Sequence, residues 1–178
     1  MTFSPVDNPA LPGLLAGVKV VDLTHYISGP YCTKLLATLG AEVVKIERPG
    51  SGDPMRRVGP FAEPAQTSPA AHQPGREAAI GGETGAWFLY LNTSKKSLAL
   101  DLKSQPGREI LLHLVETADI LVENFAPGVM DRLGLGYTQL QAVNPALVMA
   151  SISNYGQTGP YRDWKATELN LYAAGGLM

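Results

Sequence analysis

The chain has 178 residues, 45% hydrophobic and 17% charged, a composition typical of a globular protein and not of a disordered one. Its 14 basic and 16 acidic side chains give a net charge of -2, which argues against nucleic acid as a partner. A single cysteine, Cys32, excludes a disulfide framework and a thiolate zinc site, and this usage is compatible with a cytoplasmic protein.

The N-terminal segment is not expected to be a signal peptide, because it lacks a basic region and is interrupted by Pro5, Pro9 and Pro12. No apolar run approaches the roughly 20 residues that a membrane helix needs. We therefore expect no membrane partner.

The first predicted unit is a strand, a helix and a second strand. Val18–Leu23 is short, apolar and β-branched, which predicts a buried strand. Pro30–Leu39 has apolar residues at helical spacing, with Pro30 suited to a first turn and Gly40 to a helix stop. Glu42–Glu47 is the second strand, and we expect it to run parallel to the first with a right-handed crossover.

The segment 49–86 has a different texture, with 6 prolines and 7 glycines among its 38 residues and no sustained periodicity. Loops of this length inside a compact domain are usually functional or disordered. We expect a flexible surface excursion, with 65–82 as its most mobile part.

The rest of the chain alternates predicted strands with predicted helices, after an aromatic and apolar run at Trp87–Asn92. The predicted strands are Ser97–Asp101, Asp119–Glu123 and Ala146–Ser153. The predicted helices are one capped by Ser104 with Pro106 near its start, Pro127–Leu133, Thr138–Ala142 and one beginning near Thr167. In the first of these, one face is predicted to hold Ile110, Leu111, Leu114 and Val115. The alternation predicts an α/β fold with a doubly wound parallel sheet.

Ligands of open parallel sheets bind outside the carboxyl ends of the strands. The residues predicted at those ends are Thr24 to Ile27, Arg48, Lys103, Asn124 and Phe125, and Ser153 to Gly159. Two cations, an amide and aromatic rings suit a ligand that carries phosphates and a base.

Each of these residues also has a structural interpretation. Arg48 and Lys103 could be solvated loop charges, and Tyr26 and Phe125 could be core aromatics. A lone histidine such as His25 is more often a hydrogen-bonded structural residue than a catalyst.

The remaining reactive side chains give no strong signal. For Cys32 we favour a small buried residue over a nucleophile. His72 and His113 lack metal-ligand spacing to other ligand types, so no metal site is expected.

Several phosphate-binding and hydrolase signatures are missing from the sequence. The first predicted turn, THYISGP, is not G-x-G-x-x-G, and neither a P-loop nor a G-x-S-x-G elbow occurs. A nicotinamide dehydrogenase, a P-loop nucleotidase and an α/β-hydrolase are therefore disfavoured.

Five long motifs occur in order and cover most of the chain. They are LAGVKVVDLTHYISGPYCTKLLATLGAEVVKIERPGSGDPMR, FLYLNTSKKSLALDLKS, ADILVENFAPGVMDRLGLGY, NPALVMASISNYGQTGPYRD and KATELNLYAAGG. Together they resemble the class III CoA-transferase family, which includes formyl-CoA transferase, carnitine CoA-transferase and α-methylacyl-CoA racemase.

The resemblance implies a Rossmann-like large domain, a smaller second domain and an interlocked homodimer. It implies two substrates, an acyl-CoA, which is a coenzyme A thioester, and a carboxylic acid. It also implies that no cofactor is permanently bound. In the transferases of this family, an aspartate attacks the thioester and forms an acyl-aspartyl anhydride, followed by an aspartyl-CoA thioester.

The family motifs also imply roles for individual residues. The positions that match CoA contacts are Tyr26, Ile27, Arg48, Lys103, Asn124, Phe125, Arg132 and Lys165. Glu168 matches a glutamate that lines the site in a supporting catalytic role, and the nucleophilic aspartate is expected beyond Met178.

Two further positions differ from particular family members. Ile27 replaces the glutamine of formyl-CoA transferases, which makes oxalate a doubtful substrate. Thr167 stands where the racemases have a catalytic histidine, and racemisation needs a base on each face of the substrate.

The resulting expectation is that residues 1–178 form the N-terminal part of the Rossmann-like CoA-binding domain, with the small domain and the C-terminal part absent. The expected enzyme is a CoA-transferase of which this chain alone is inactive. The alternatives are an acyl-CoA racemase or isomerase of the same family, and a non-catalytic CoA-binding remnant or half of a split enzyme.

Overall fold

The computed structural model describes residues 13–61 and 84–176 and has a five-stranded sheet at its centre. The strands are β1 (Lys19–Asp22), β2 (Glu42–Glu47), β3 (Lys96–Ala99), β4 (Ile120–Glu123) and β5 (Val148–Ser151). The helices are α1 (Ser28–Thr38), α2 (Ala86–Leu91), α3 (Gln105–Val115), α4 (Val129–Arg132), α5 (Tyr137–Val143) and α6 (Glu168–Ala174), with a 3₁₀ helix at Pro54–Arg57. The predicted mobile stretch 65–82 lies outside the described residues.

The strands are all parallel and lie in the order β3-β2-β1-β4-β5. Val21 of β1 is in register with Val44 on one side and with Leu121 on the other. The chain therefore builds outward from β1 to β3 and then returns to add β4 and β5 on the opposite side. This order confirms the predicted doubly wound sheet and makes the junction of β1 and β4 its topological switch point.

Each face of the sheet has its own hydrophobic core, because successive side chains of a strand point to opposite faces. Val20 and Val122 pack with Ala37 of α1 on one face. Val21 and Leu121 belong to the core on the other face. The members of that second core from α3, α4 and α5 are Leu111, Val115, Met130 and Leu140.

The helix α1 begins two residues before the predicted Pro30 and ends at Thr38, two residues before the predicted stop at Gly40. Thr33 and Ala37 are on its buried face. Gly40 has φ +103°, and a Cβ at this position would lie 2.8 Å from Cα of Gly13. A side chain would therefore be disfavoured by both conformation and space, which confirms Gly40 as the helix stop.

The helix α3 has the predicted cap but a narrower buried face than predicted. Ser104 Oγ accepts a hydrogen bond from the Gly107 backbone N–H at 3.1 Å. Leu111 and Val115 are fully buried, whereas Ile110 is 46% exposed. The prediction that Ile110 shares this face is wrong, because the helix meets the sheet along a stripe of residues spaced four apart.

The predicted surface excursion is ordered in its first part. Asp53 Oδ1 accepts a hydrogen bond from the Met55 backbone N–H at 2.9 Å and caps the 3₁₀ helix, in which Met55 is buried. The Arg56 guanidinium lies 3.7 Å from the ring centre of Phe88 in α2. Residues 53–57 are thus part of the packed structure and not a loose surface loop.

Candidate functional site

A groove runs along the carboxyl ends of β1 to β4, where the topology predicts a ligand site. One cavity of about 160 Å³ is lined by His25, Arg48, Lys103 and Phe125 over apolar side chains that include Leu23. An adjacent cavity of about 340 Å³ shares three of these side chains and adds others from the neighbouring loops. The added residues are Tyr26, Ser51, Gly52, Pro54, Arg57 and Asn124. We call these two cavities the strand-end groove.

A larger cavity of about 700 Å³ adjoins the groove and shares Asn124 and Phe125 with it. Its other side contains Lys165 together with Arg162 and Trp164. The predicted ligand contact Lys165 is therefore near the groove, across the Asn124–Phe125 corner.

The structure brings together five of the nine predicted site residues in the strand-end groove. They are Tyr26, Arg48, Lys103, Asn124 and Phe125. Ile27, Arg132 and Glu168 are not among the described residues that line the groove or the adjoining cavity. Ile27 precedes α1 and is 48% exposed, while Arg132 and Glu168 are exposed at the ends of α4 and α6.

The turn after β1 is held to the end of β4 by Asn124. The Asn124 side-chain oxygen accepts a hydrogen bond from the His25 backbone N–H, and its amide nitrogen donates to the His25 carbonyl, both at 2.8 Å. Tyr26 has φ +64°, a left-handed conformation that costs a bulky residue on the order of 1–3 kcal/mol. Asn124 therefore contributes to the shape of the groove.

The His25 ring lies against the Phe125 ring, with the ring centres 5.6 Å apart. Burial lowers the pKa of His25. The Asp53 carboxylate raises this pKa in part, and the cations Lys45 and Arg48 lower it further, so that it lies below its usual value. The imidazole is consequently neutral near pH 7 and leaves positive charge in the groove to the arginines and Lys103.

Glu47 ends β2 and also lines the groove, but its charge is neutralised by Arg56. The Arg56 Nε and Nη2 atoms each donate to a Glu47 carboxylate oxygen at 2.7 Å. Burial would raise the pKa of Glu47, yet hydrogen bonds from Arg56, Ser97 and the Asp53 backbone N–H outweigh it and lower this pKa to about 2. This carboxylate is thus ionised and paired, and it does not need a ligand cation.

Behind the turn lies a buried ionic cluster that the sequence reasoning missed. Lys95 Nζ lies 3.0 Å from Asp22 Oδ2 and donates to Thr33 Oγ1 at 2.7 Å. Burial raises the pKa of Asp22, but Lys45, Lys95 and the hydroxyls of Thr24 and Thr33 lower it more, so its pKa lies below its usual value. The available signal was a charged residue inside the apolar strands VVDL and VVKIE.

Four groove residues lie in the segment 49–86, which the sequence predicts to be a loose excursion: Ser51, Gly52, Pro54 and Arg57. Arg57 Nη1 donates to the Ser51 carbonyl at 2.6 Å, and both residues line the larger cavity of the groove. Arg57 adds a cation to Arg48 and Lys103.

Two other features concern only the described residues, 13–61 and 84–176. They contain no cluster of three or more His, Cys, Asp or Glu residues that could hold a metal ion, and no helix long and apolar enough to cross a membrane. Cys32 is half-buried in α1, less than the sequence predicts.

Comparison with known proteins identifies the family. The model of CoA-transferase family III matches residues 15–178, which include every strand of the sheet and the whole groove. The chain belongs to CoA-transferase family III. The sequence-based assignment to this family is confirmed.

Two of the named relatives are oxalate CoA-transferases. The chain is 41% identical over 172 residues to the acetyl-CoA:oxalate CoA-transferase of Acetobacter aceti. It is 43% identical over 162 residues to the formyl-CoA:oxalate CoA-transferase of Rhodopseudomonas palustris strain TIE-1. These matches cover 96% and 91% of this chain but only 39% and 34% of the relatives.

Solved structures that are similar to this chain have the same fold. A CAIB/BAIF family protein from Brucella suis superposes with a TM-score of 0.81 at 35% identity, over 94% of this chain and 40% of that protein. The protein Rv3272 from Mycobacterium tuberculosis superposes with a TM-score of 0.76 at 34% identity, over 96% and 41% of the respective chains. The α/β fold expected from the sequence is confirmed.

Proposed function

We propose that this chain is the N-terminal, CoA-binding part of a cytoplasmic CoA-transferase, with residues 1–178 belonging to one Rossmann-like domain. The complete enzyme would move CoA between an acyl-CoA thioester and a carboxylic acid without a permanently bound cofactor. The observation that carries the proposal is the groove at the switch point of a family III sheet, where Arg48, Lys103 and Phe125 converge.

The groove suits the chemistry of CoA, which combines several phosphates with an aromatic base and a long apolar arm. Arg48 and Lys103 line the 160 Å³ cavity of the groove, and Arg48 and Arg57 line its 340 Å³ cavity. Guanidinium and ammonium groups bind phosphate through charge-assisted hydrogen bonds. The rings of Phe125 and Tyr26 offer flat surfaces for the base or the arm.

The transfer itself would proceed through an aspartate of the complete enzyme. In the first step the aspartate carboxylate attacks the thioester carbonyl and the carbon–sulfur bond breaks. CoA departs as its thiolate, and an acyl-aspartyl anhydride is formed. The thiolate then attacks the aspartyl carbonyl, releases the acyl group as its carboxylate, and forms the aspartyl-CoA thioester. The acceptor carboxylate takes over CoA by the same two steps in reverse.

Other contacts of this mechanism are inferred from the family motifs alone. Glu168 would orient or polarise the substrate, while Ile27, Arg132 and Lys165 would contact CoA. The complete enzyme would act as an interlocked homodimer. The two relatives described above are named for oxalate, whereas the apolar Ile27 favours a different carboxylic acid. The first acceptors to compare are therefore oxalate and a longer, less polar acid.

Calorimetric titration of CoA into this chain tests the proposed site. Arg48→Ala and Lys103→Ala should each weaken binding about tenfold or more, because a charge-assisted hydrogen bond is worth about 1.5–3 kcal/mol. Arg57→Ala should weaken binding in the same direction. Lys19→Ala is the matched control, because Lys19 lies at the amino end of β1, away from the carboxyl ends that form the groove, and its loss should leave binding unchanged. Unchanged affinity in both the Arg48 and Lys103 variants would refute the assignment.

A further inference from the structure

The backbone of the turn Thr24–Tyr26 is held by side chains from outside the turn. The Thr24 carbonyl accepts a hydrogen bond from Lys45 Nζ at 2.7 Å, and the Tyr26 backbone N–H donates to Asp53 Oδ1 at 3.2 Å. The Thr24 backbone N–H donates to Asp22 Oδ1 at 2.9 Å. Together with the two bonds to His25 from Asn124, all three residues of the turn are anchored.

Two of these anchors form a buried ion pair with each other. Lys45 Nζ lies 3.0 Å from Asp53 Oδ2, and the side chains are only 1% and 0% exposed. Lys45 belongs to β2, and Asp53 caps the 3₁₀ helix that presents Arg57 to the groove. The pair therefore ties the turn after β1 to the loop after β2, which together with Asn124 and Phe125 line the 340 Å³ cavity of the groove.

A buried ion pair is a poor choice if stability alone is at stake. Desolvation of two charges commonly cancels their attraction, and apolar residues of similar volume often serve stability equally well. A charged pair differs from apolar packing in being directional, because Lys45 donates to a defined carbonyl and Asp53 accepts from a defined amide. The left-handed Tyr26 requires such directed contacts, since strained conformations persist only where the surroundings over-determine them.

We infer that Lys45 and Asp53 are positioning residues, which hold the Thr24–Tyr26 turn and the Arg57 loop in the arrangement that receives CoA. Neither side chain is among those that line the strand-end groove. Asp53 acts through the backbone of Tyr26, which lines the groove, and Lys45 acts through the backbone of Thr24, which directly precedes the lining residue His25. The inference rests on the proposed function for the identity of the ligand, but the fixing of the turn can be measured without any ligand.

The test is the double variant Lys45→Met/Asp53→Leu, which removes the pair without leaving an unpaired buried charge. We expect a cooperatively unfolding protein in which the Tyr26 and His25 amides exchange hydrogen at least about tenfold faster and CoA binds about tenfold more weakly. The His25 amide is the informative one, because its own acceptor Asn124 is unchanged. A second variant, Lys45→Met/Asp53→Asn, keeps an oxygen for the Tyr26 amide and should recover part of its protection.

Asn144→Ala is the matched control for general loss of stability. Asn144 donates to the Val115 and Ala118 carbonyls, which precede β4 near the amino ends of the strands. Its loss should lower the unfolding midpoint without changing either the hydrogen exchange of the His25 amide or the affinity for CoA. A folded double variant with wild-type CoA affinity would overturn the inference. If the wild-type chain itself does not bind CoA, the proposed function fails instead. In that case hydrogen exchange of the His25 amide tests the inference about the turn by itself. Fast exchange of this amide in both double variants supports the inference, and protection equal to that of the wild type refutes it.

Discussion

The two halves of the sheet, one around β1 and β2 and the other around β5, differ in how firmly their candidate site residues are held. On the β1–β2 side, three of the four residues of β1 are buried, and the turn that follows is held by buried ion pairs. On the other side, neither β5 nor α6 has a fully buried residue in the described structure, and Val148 is 60% exposed. The contacts predicted for Tyr26 and Arg48 therefore have a geometric basis, whereas those for Lys165 and Glu168 depend more on their family motif.

The largest expected effect is on the buried ionic cluster. Asp22→Ala leaves Lys95 without its ionic partner and removes the acceptor for Thr24 and Thr33, so the free energy of unfolding should fall by about 3–5 kcal/mol. Urea unfolding followed by circular dichroism measures this change. Glu42→Ala is the control, because Glu42 pairs with Lys96 on the exposed surface, and its loss should leave the midpoint unchanged. Equal effects of the two substitutions would contradict the comparison.

A pair of apolar truncations compares the inside of the sheet with its edge. Leu121 of β4 is fully buried, and Leu121→Ala should lower the free energy of unfolding by about 2–5 kcal/mol through lost burial and a cavity. Val148→Ala in β5 should change it by less than about 0.5 kcal/mol. The same urea experiment measures both, and a large loss at Val148 would show that β5 is more tightly packed than its exposure indicates.

Acid should weaken the Glu47–Arg56 pair before the pH reaches the folded-state pKa. Because the pKa of Glu47 is lowered from 4.5 to about 2, its contribution is fully present above pH 4.5 and is lost as the pH falls toward 2. The contribution is on the order of 3 kcal/mol. Wild-type and Glu47→Gln unfolding free energies should therefore differ at neutral pH and converge in this window. A difference that does not change with pH would refute the assignment.

The smallest expected effect concerns Glu168. We expect no covalent intermediate at this residue when the purified chain is incubated with an acyl-CoA and hydroxylamine, because attack requires reacting atoms held roughly 3–3.5 Å apart. Glu168 is exposed on the first turn of α6 and is not among the described residues lining the groove. Mass spectrometry of the tryptic peptides checks this, and hydroxamate or CoA thioester on Glu168 would identify it as the nucleophile.

Hydrophobic patterning was sufficient to predict most of the fold. Glu42–Glu47 forms a strand with the predicted bounds, because a β-branched apolar run beside a glycine leaves few alternatives. The helix Ala86–Leu91 could not be assigned from its six apolar and aromatic residues, since no helical period is visible in so short a run. Its structure depends on the burial of Phe88 and Leu91, a tertiary effect.

The candidate site was predictable where topology alone places residues at strand ends. Arg48 follows β2 and Phe125 follows β4, the two neighbours of β1 in the sheet, and both line the groove as expected. The pairing of Lys45 with Asp53 was not predictable, because it depends on how the loop after β2 folds back over the sheet. That loop was predicted as a flexible excursion from its proline and glycine content, which does not reveal a buried carboxylate.

The position of β1 at the centre of the sheet also determines when the groove can form. The Lys19 backbone N–H donates to Asp119, a residue 100 positions later in the chain, and β4 follows directly. At a synthesis rate of roughly 5–20 residues per second, β1 remains without its second neighbour for roughly 5–20 s after it is made. During that time β1, β2 and β3 can pair while one edge of β1 stays open. The Asn124 contact to His25 then completes the groove, so ligand binding can stabilise the nascent chain only after β4 has joined the sheet.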